Sequence, residues 1–178
     1  GIGKGDEVIV SPFSFASSAS CALMVGAKPV FVDIDEDTYT ISPEAIDKVV
    51  TPRTKAIIPV HLFGCSANME GILDVAEAHS LFIIEDSAQA IGAKYLGQYT
   101  GTIGDCGIFS FNQSKHINTG EGGMLITDNE YIARRVRAVR NHAEVSDPEL
   151  KMVGYNYRLG EIESFLALEQ FRNLDKDI

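Results

Sequence analysis

Short apolar runs punctuate the chain at Glu7–Ser11, Pro29–Asp33, Ala56–Val60, Leu81–Glu85, Gly107–Phe111 and Gly123–Thr127. Within them Val8-Ile9-Val10, Ile57-Ile58, Phe82-Ile83-Ile84 and Met124-Leu125-Ile126 are continuously apolar, without alternation. That pattern predicts strands buried on both faces, as in a sheet covered by helices. Between them the spacing turns helical. Ala16–Val25 is small and apolar. Ser42-Pro43 offers a capping hydroxyl followed by proline at the first helical position. Met69, Ile72, Leu73 and Ala76 recur at helical spacing, as do Ile132, Val136 and Val139 after Asp128-Asn129. A last helix runs from about Leu159, with Ala167, Phe171 and Leu174 on one face. Strand and helix patterns alternate, which predicts an α/β fold, three-layer α/β/α, around a mainly parallel sheet.

No internal repeat, linker or low-complexity segment interrupts the pattern, and 178 residues suffice for one domain with a real core. The chain starts at Gly1 and ends inside a helical pattern, so it reads as a fragment. No leader or membrane-length apolar run is visible. A net charge of −10 argues against a nucleic-acid role. The densest basic stretch, Arg134, Arg135, Arg137 and Arg140, reads as a solvated helix face. Cys21, Cys65 and Cys106 are odd in number and far apart, which fits a reducing, cytoplasmic setting. The four histidines form no ligand pairs with them, and no metal site is expected.

In open α/β sheets ligands sit beyond the carboxyl ends of the strands. Two such ends stand out. Glu85-Asp86-Ser87-Ala88-Gln89-Ala90 delivers acids from an apolar strand. It could serve a metal, a ribose or a protonated ring nitrogen, or it could simply cap a helix. Phe109-Ser110-Phe111 leads to Lys115 and then to the glycine cluster Gly120-Glu121-Gly122-Gly123. A loop lysine is ordinarily surface charge. The dinucleotide fingerprint, the phosphate-binding P-loop and the hydrolase nucleophile elbow are all missing from this sequence.

These segments together, with Gly5–Val10, Gly26–Asp33, Thr54–His61 and Gly154-Tyr155-Asn156-Tyr157-Arg158, resemble the DegT/DnrJ/EryC1/StrS family in that family's order. Its members are sugar aminotransferases of fold type I that use pyridoxal 5'-phosphate (PLP). The resemblance implies that residues 1–178 are the core of the PLP-binding large domain, without its N-terminal part and the C-terminal small domain. It implies that Lys115 is the Schiff-base lysine and Asp86 the partner of the pyridinium nitrogen. Ala88 would pack on one ring face and Phe15 stack on the other, with Phe13 leaving the register open. Gln89 would hydrogen-bond the ring hydroxyl, and Ser110 the phosphate. Asn156 and Arg158 would reach the neighbouring subunit's site, making a homodimer the functional unit, and Glu121 and His61 would support the site. Each has a plainer reading as core packing, a strand end or a turn.

The implied reaction moves an amino group from an amino acid, glutamate by resemblance, to a keto sugar on a nucleotide, for polysaccharide or amino-sugar synthesis. A PLP-dependent sugar dehydratase of the same family replaces the lysine, typically with histidine. Here Lys115 stands, and His116 is out of register. A non-catalytic module would be expected to have lost Lys115 or Asp86, and both are present.

Overall fold

The computed structural model describes residues 1–144 and 152–177. In chain order the elements are β1 (Glu7–Val10), α1 (Ser17–Met24), β2 (Lys28–Phe31), α2 (Pro43–Asp47), β3 (Thr54–Ile58), α3 (Met69–His79), β4 (Phe82–Asp86), β5 (Lys94–Tyr95), β6 (Gln98–Tyr99), β7 (Cys106–Ser110), β8 (Gly123–Ile126), α4 (Glu130–Arg140) and α5 (Glu161–Asp177). Six strands form one sheet in the order β2-β1-β3-β4-β7-β8. Its pairs are parallel except β7–β8, which is antiparallel.

The continuous apolar runs of β1 and β3 are explained by what lies on each face. Ile9, Ile57 and Ile83 pack against Ile46 of α2 and Met69 and Ile72 of α3. Their neighbours Val8, Val10, Ala56 and Ile58 face the other way, against Ala19 and Ala22 of α1. Side chains alternate along a strand, so a strand covered on both sides needs apolar residues at every position. This part of the sheet is therefore the middle of three layers.

The helix starts follow the expected chemistry. Ser42 accepts the Ala45 N–H at 3.2 Å, with Pro43 at the first helical position. Asn129 accepts the N–H groups of Tyr131 and Ile132. Asn68, not anticipated as a cap, does the same for Gly71 at the start of α3.

Three features differ from the sequence expectation. Burial on both faces fails at β8, an edge strand with Met124 51% exposed, and at the start of β4, where Phe82 is 51% exposed. The hairpin β5–β6 was not anticipated, because its two-residue strands are too short to show a period. It turns through Leu96 and Gly97, both at positive φ, as a tight hairpin requires. In α5, Ala167 and Leu174 are buried against Phe111 and Ile117, but Phe171 is 60% exposed. Ala167 and Leu174 lie seven residues apart, nearly two turns, and Phe171 sits on the flank of that narrow stripe. Among the described residues, no helix is long and apolar enough to cross a membrane.

Candidate active site

Register decides which side chains share a face. Asp86, the last residue of β4, pairs with Ile108 of β7. Ser110, two residues further on, therefore points to the same side as Asp86. That side is the one covered by α1, because Ser18 of α1 reaches Asp86 directly.

Asp86 is buried at 7% exposure. Its Oδ2 accepts the Ser18 hydroxyl at 2.9 Å and its Oδ1 accepts the Ala88 N–H at 3.1 Å. Ser14 lies behind Ser18, with the two hydroxyls 3.4 Å apart. The capping alternative for this segment does not hold, since turns rather than an α-helix follow Asp86. The Ala88 N–H folds back on Asp86 in a local turn. Ser18 was not singled out from sequence. It is one of several small residues in Ala16–Ala22, and only the packing of α1 distinguishes it.

The half-buried Gln89 accepts the Phe63 N–H at 3.1 Å through Oε1. This bond assigns the amide orientation and leaves Nε2 as the donor. Phe63 is held at φ 53 and is 78% exposed. Phe15 stands at 76% exposure just ahead of α1, whereas Phe13 packs against Tyr39 with ring centroids 5.9 Å apart. Phe15 is thus the aromatic left open beside the helix that touches Asp86.

Lys115 lies half-buried in the loop after β7, its N–H bonded to the Asn112 carbonyl. Its amine has no hydrogen-bond or ion-pair partner among the described residues. The loop is organised by Asn112, a second residue sequence reasoning passed over. Asn112 Oδ1 accepts both the N–H and the hydroxyl of Ser114, and its Nδ2 donates to Glu121 Oε1 at 2.9 Å. Its N–H donates to the Ser110 hydroxyl at 3.3 Å. Main-chain bonds from Gln113 to Gly120 and from Phe111 to Gly122 close the loop at its base. Gly122 is required there, because its φ of +149 is a backbone conformation that a side chain would strain.

Asn156 and Arg158 are exposed. Arg158 donates to Asn156 Oδ1 at 3.0 Å and to Asn141 Oδ1 at 3.2 Å. Arg158, Glu121, Gly122 and Glu163 line an open depression of about 520 Å³. None of Asp86, Ala88, Gln89, Ser110 or Lys115 lines it. The expected residues therefore divide into a group at the ends of β4 and β7 and a separate group around Arg158. Glu121 links them through Asn112.

His61 is not in the first group. It is fully buried, its Nδ1 accepts the Ala67 N–H at 3.1 Å, and its Nε2 bonds Glu85 at 2.9 Å. Glu85 precedes Asp86 but points to the opposite face, the one that carries Ile83. Burial pushes its carboxyl up, but hydrogen bonds from His61 and from the amides of Gly104, Gly101 and Ile103 outweigh that and hold it below the usual carboxylate range.

The whole of residues 1–178 matches the DegT/DnrJ/EryC1/StrS aminotransferase family. The chain belongs to that family. It is 47% identical to a UDP-N-acetyl-3-dehydro-alpha-D-glucosamine 3-aminotransferase of Acidithiobacillus ferrooxidans, over 97% of this chain and 47% of the relative. Among solved structures it resembles an aminotransferase from Psychrobacter cryohalolentis, with TM-score 0.92 and 40% identity over 98% of this chain and 48% of that one. It also resembles a Streptococcus pneumoniae protein assigned as a sugar aminotransferase and solved in its PLP form, with TM-score 0.89 and 30% identity over 98% of this chain and 50% of that one. The chain spans about half the length of the curated relatives it matches.

The first group of residues fits PLP in its chemistry. A buried carboxylate with both oxygens already oriented suits a protonated ring nitrogen. Ser110 shares the sheet face of Asp86, Ala88 stands two residues after Asp86, the open Phe15 precedes α1, and the Lys115 amine in the loop after β7 has no partner among the described residues.

Proposed function

We propose that this chain is the core of the PLP-binding large domain of an aminotransferase. The enzyme transfers an amino group from an amino-acid donor, glutamate in this reading, to a keto sugar carried on a nucleotide. The product would serve polysaccharide or amino-sugar synthesis. The observation that carries the reading is an oriented, buried Asp86 at the end of β4 together with a Lys115 amine, in the loop after β7, that has no partner among the described residues.

When bound, PLP supplies an electron sink for the carbon that exchanges its amino group. Asp86 keeps a proton on the ring nitrogen, with Ser18 and the Ala88 N–H fixing the carboxylate. Lys115 would hold the cofactor covalently and, once released, carry the proton between the substrate carbon and the cofactor. Ala88 and Phe15 confine the ring from its two faces. Gln89, turned by Phe63 to present its amide as a donor, binds the ring hydroxyl. Ser110 binds the phosphate. Asn156 and Arg158 act in the site of a second copy, so the functional unit is a homodimer. The cytoplasm is the matching compartment, in keeping with three unpaired thiols.

Borohydride reduction of the full-length parent protein with PLP, followed by peptide mass spectrometry, tests this. The expected result is a pyridoxyl group on Lys115 that disappears in Lys115→Ala. No label, or label scattered over other lysines, would reject the reading.

A further inference from the structure

The family reaction leaves one buried titratable pair without a task. Glu85 and His61 are both fully buried. Four donors converge on the two Glu85 oxygens. Oε1 accepts the N–H groups of Ile103 at 2.6 Å and Gly104 at 2.7 Å, and Oε2 accepts those of Gly101 at 2.8 Å and His61 Nε2 at 2.9 Å. A protonated carboxyl would bring a fifth hydrogen to a place already filled with hydrogens, so the geometry calls for the anion. His61 cannot neutralise it. Its Nδ1 accepts the Ala67 N–H, which leaves the imidazole a single proton, the one it presents to Glu85. The pair therefore carries a net negative charge with no cation in contact among the described residues. It is also fastened to Asp86, because the His61 N–H bonds the Asp86 carbonyl at 3.0 Å.

We infer that Glu85 is a positioning residue that places a fixed negative charge behind Asp86 and so raises the proton affinity of a ring nitrogen bound there. His61 aims the charge but does not supply it. The inference rests on the PLP reading and adds a component to it. Asp86 alone would hold the ring proton by contact. Glu85 acts through the low-dielectric interior, where a charge one residue away is poorly screened. The other titratable groups nearby are Asp105 and Cys106 at the start of β7, and Cys21 of α1 on the Asp86 side. Asp105 is engaged with the Ile83 N–H. Burial, with Asp105 and Glu85 adding to it, pushes the Cys106 thiol up to about 11. Burial, with Asp86 adding to it, also raises Cys21. Neither thiol competes as a charge near neutral pH.

The test separates charge from scaffolding. The full-length parent protein is loaded with PLP labelled at the ring nitrogen with a magnetic nitrogen isotope, and the nitrogen shift is followed by NMR as pH rises. Glu85→Gln removes the charge. His61→Gln keeps it, since the new amide can donate to Glu85 and accept from Ala67. The double variant Glu85→Gln/His61→Gln restores a hydrogen bond between the two side chains without charge. The expected result is loss of the ring proton about one pH unit lower in both variants that lack the Glu85 charge, with His61→Gln within about 0.3 of the parent. Equal titration in Glu85→Gln and parent would overturn the inference, as would equal shifts in Glu85→Gln and His61→Gln. Failure of both neutral variants to fold while His61→Gln folds would assign the charge to the fold alone, which also overturns it. A parent protein that takes no borohydride label on Lys115 rejects the aminotransferase reading itself. A labelled parent with an unmoved Glu85→Gln titration rejects only the role of Glu85.

Discussion

Glu85 and Asp86 are adjacent, have the same functional group and sit at the same strand end, yet the fold treats them in opposite ways. Glu85 faces the α2–α3 side, and all of its acceptor capacity is used by protein donors. Asp86 faces α1 and, among the described residues, its carboxylate receives only the Ser18 hydroxyl and the Ala88 N–H. A saturated carboxylate is a fastening. An unsaturated one, also buried and already oriented, is a place for a ligand. The difference is set by strand parity, which sends neighbouring side chains into two unlike environments.

The largest expected effects come from exchanging the two roles. Glu85→Gln should lower stability by about 3 kcal/mol, because a buried anion is replaced by a group that turns hydrogens toward hydrogens. Asp86→Asn should change stability by less than about 1 kcal/mol, since Ser18 can reverse its hydrogen bond, while activity of the full-length enzyme falls at least about 100-fold. Urea unfolding and steady-state assays on both variants read these numbers, and a common loss of stability would erase the contrast. The pH dependence follows the same line. The Glu85 carboxyl lies below its ordinary value of 4.5 in the folded state. Its contribution to stability is therefore complete above that value and is lost as pH falls below it. Acid unfolding of the parent should show this loss, and that of Glu85→Gln should not.

A smaller effect sharpens the Asp86 side. Ser18→Ala removes the Oδ2 donor and should weaken PLP binding about tenfold, with Ser18→Thr restoring most of it. Equilibrium titration of the apo-protein with PLP measures both. The smallest effect is at Ser87, whose buried hydroxyl has no partner among the described residues. Ser87→Ala should leave stability within about 0.5 kcal/mol of the parent or raise it, as read by thermal unfolding.

The central strands β1 and β3 were legible because burial on both faces leaves an unbroken apolar run, as at Val8-Ile9-Val10; β8 carries such a run at an exposed sheet edge, so the run alone does not report burial. Asp86 was legible as an acid at the end of such a run. Its neighbour was not, because the partners of Glu85 come from His61, far upstream, and from a loop at 101–104 whose position depends on a hairpin too short to show in the pattern. Ser18 and Asn112 were missed for a related reason. Each is a common polar residue whose importance lies in what it touches, and neither contact has a sequence period. Phe171 was misplaced because helical spacing defines a stripe but not its width. The division between the Asp86 group and the Arg158 group was likewise invisible in one dimension.

Three of the four groups that grip Glu85 are peptide N–H groups, at Gly101, Ile103 and Gly104. Every residue but proline brings such a group, so the grip itself asks for chain length, while the close packing around Gly101 and Gly104 separately holds those two as glycine. Substitution at position 103 can proceed through many side chains without releasing the carboxylate. Insertion or deletion of a single residue between the hairpin and β7 cannot, because it moves all three amides at once. Position 103 should therefore drift in composition while the length of the stretch stays fixed, a rigidity of spacing beside a local tolerance of spelling.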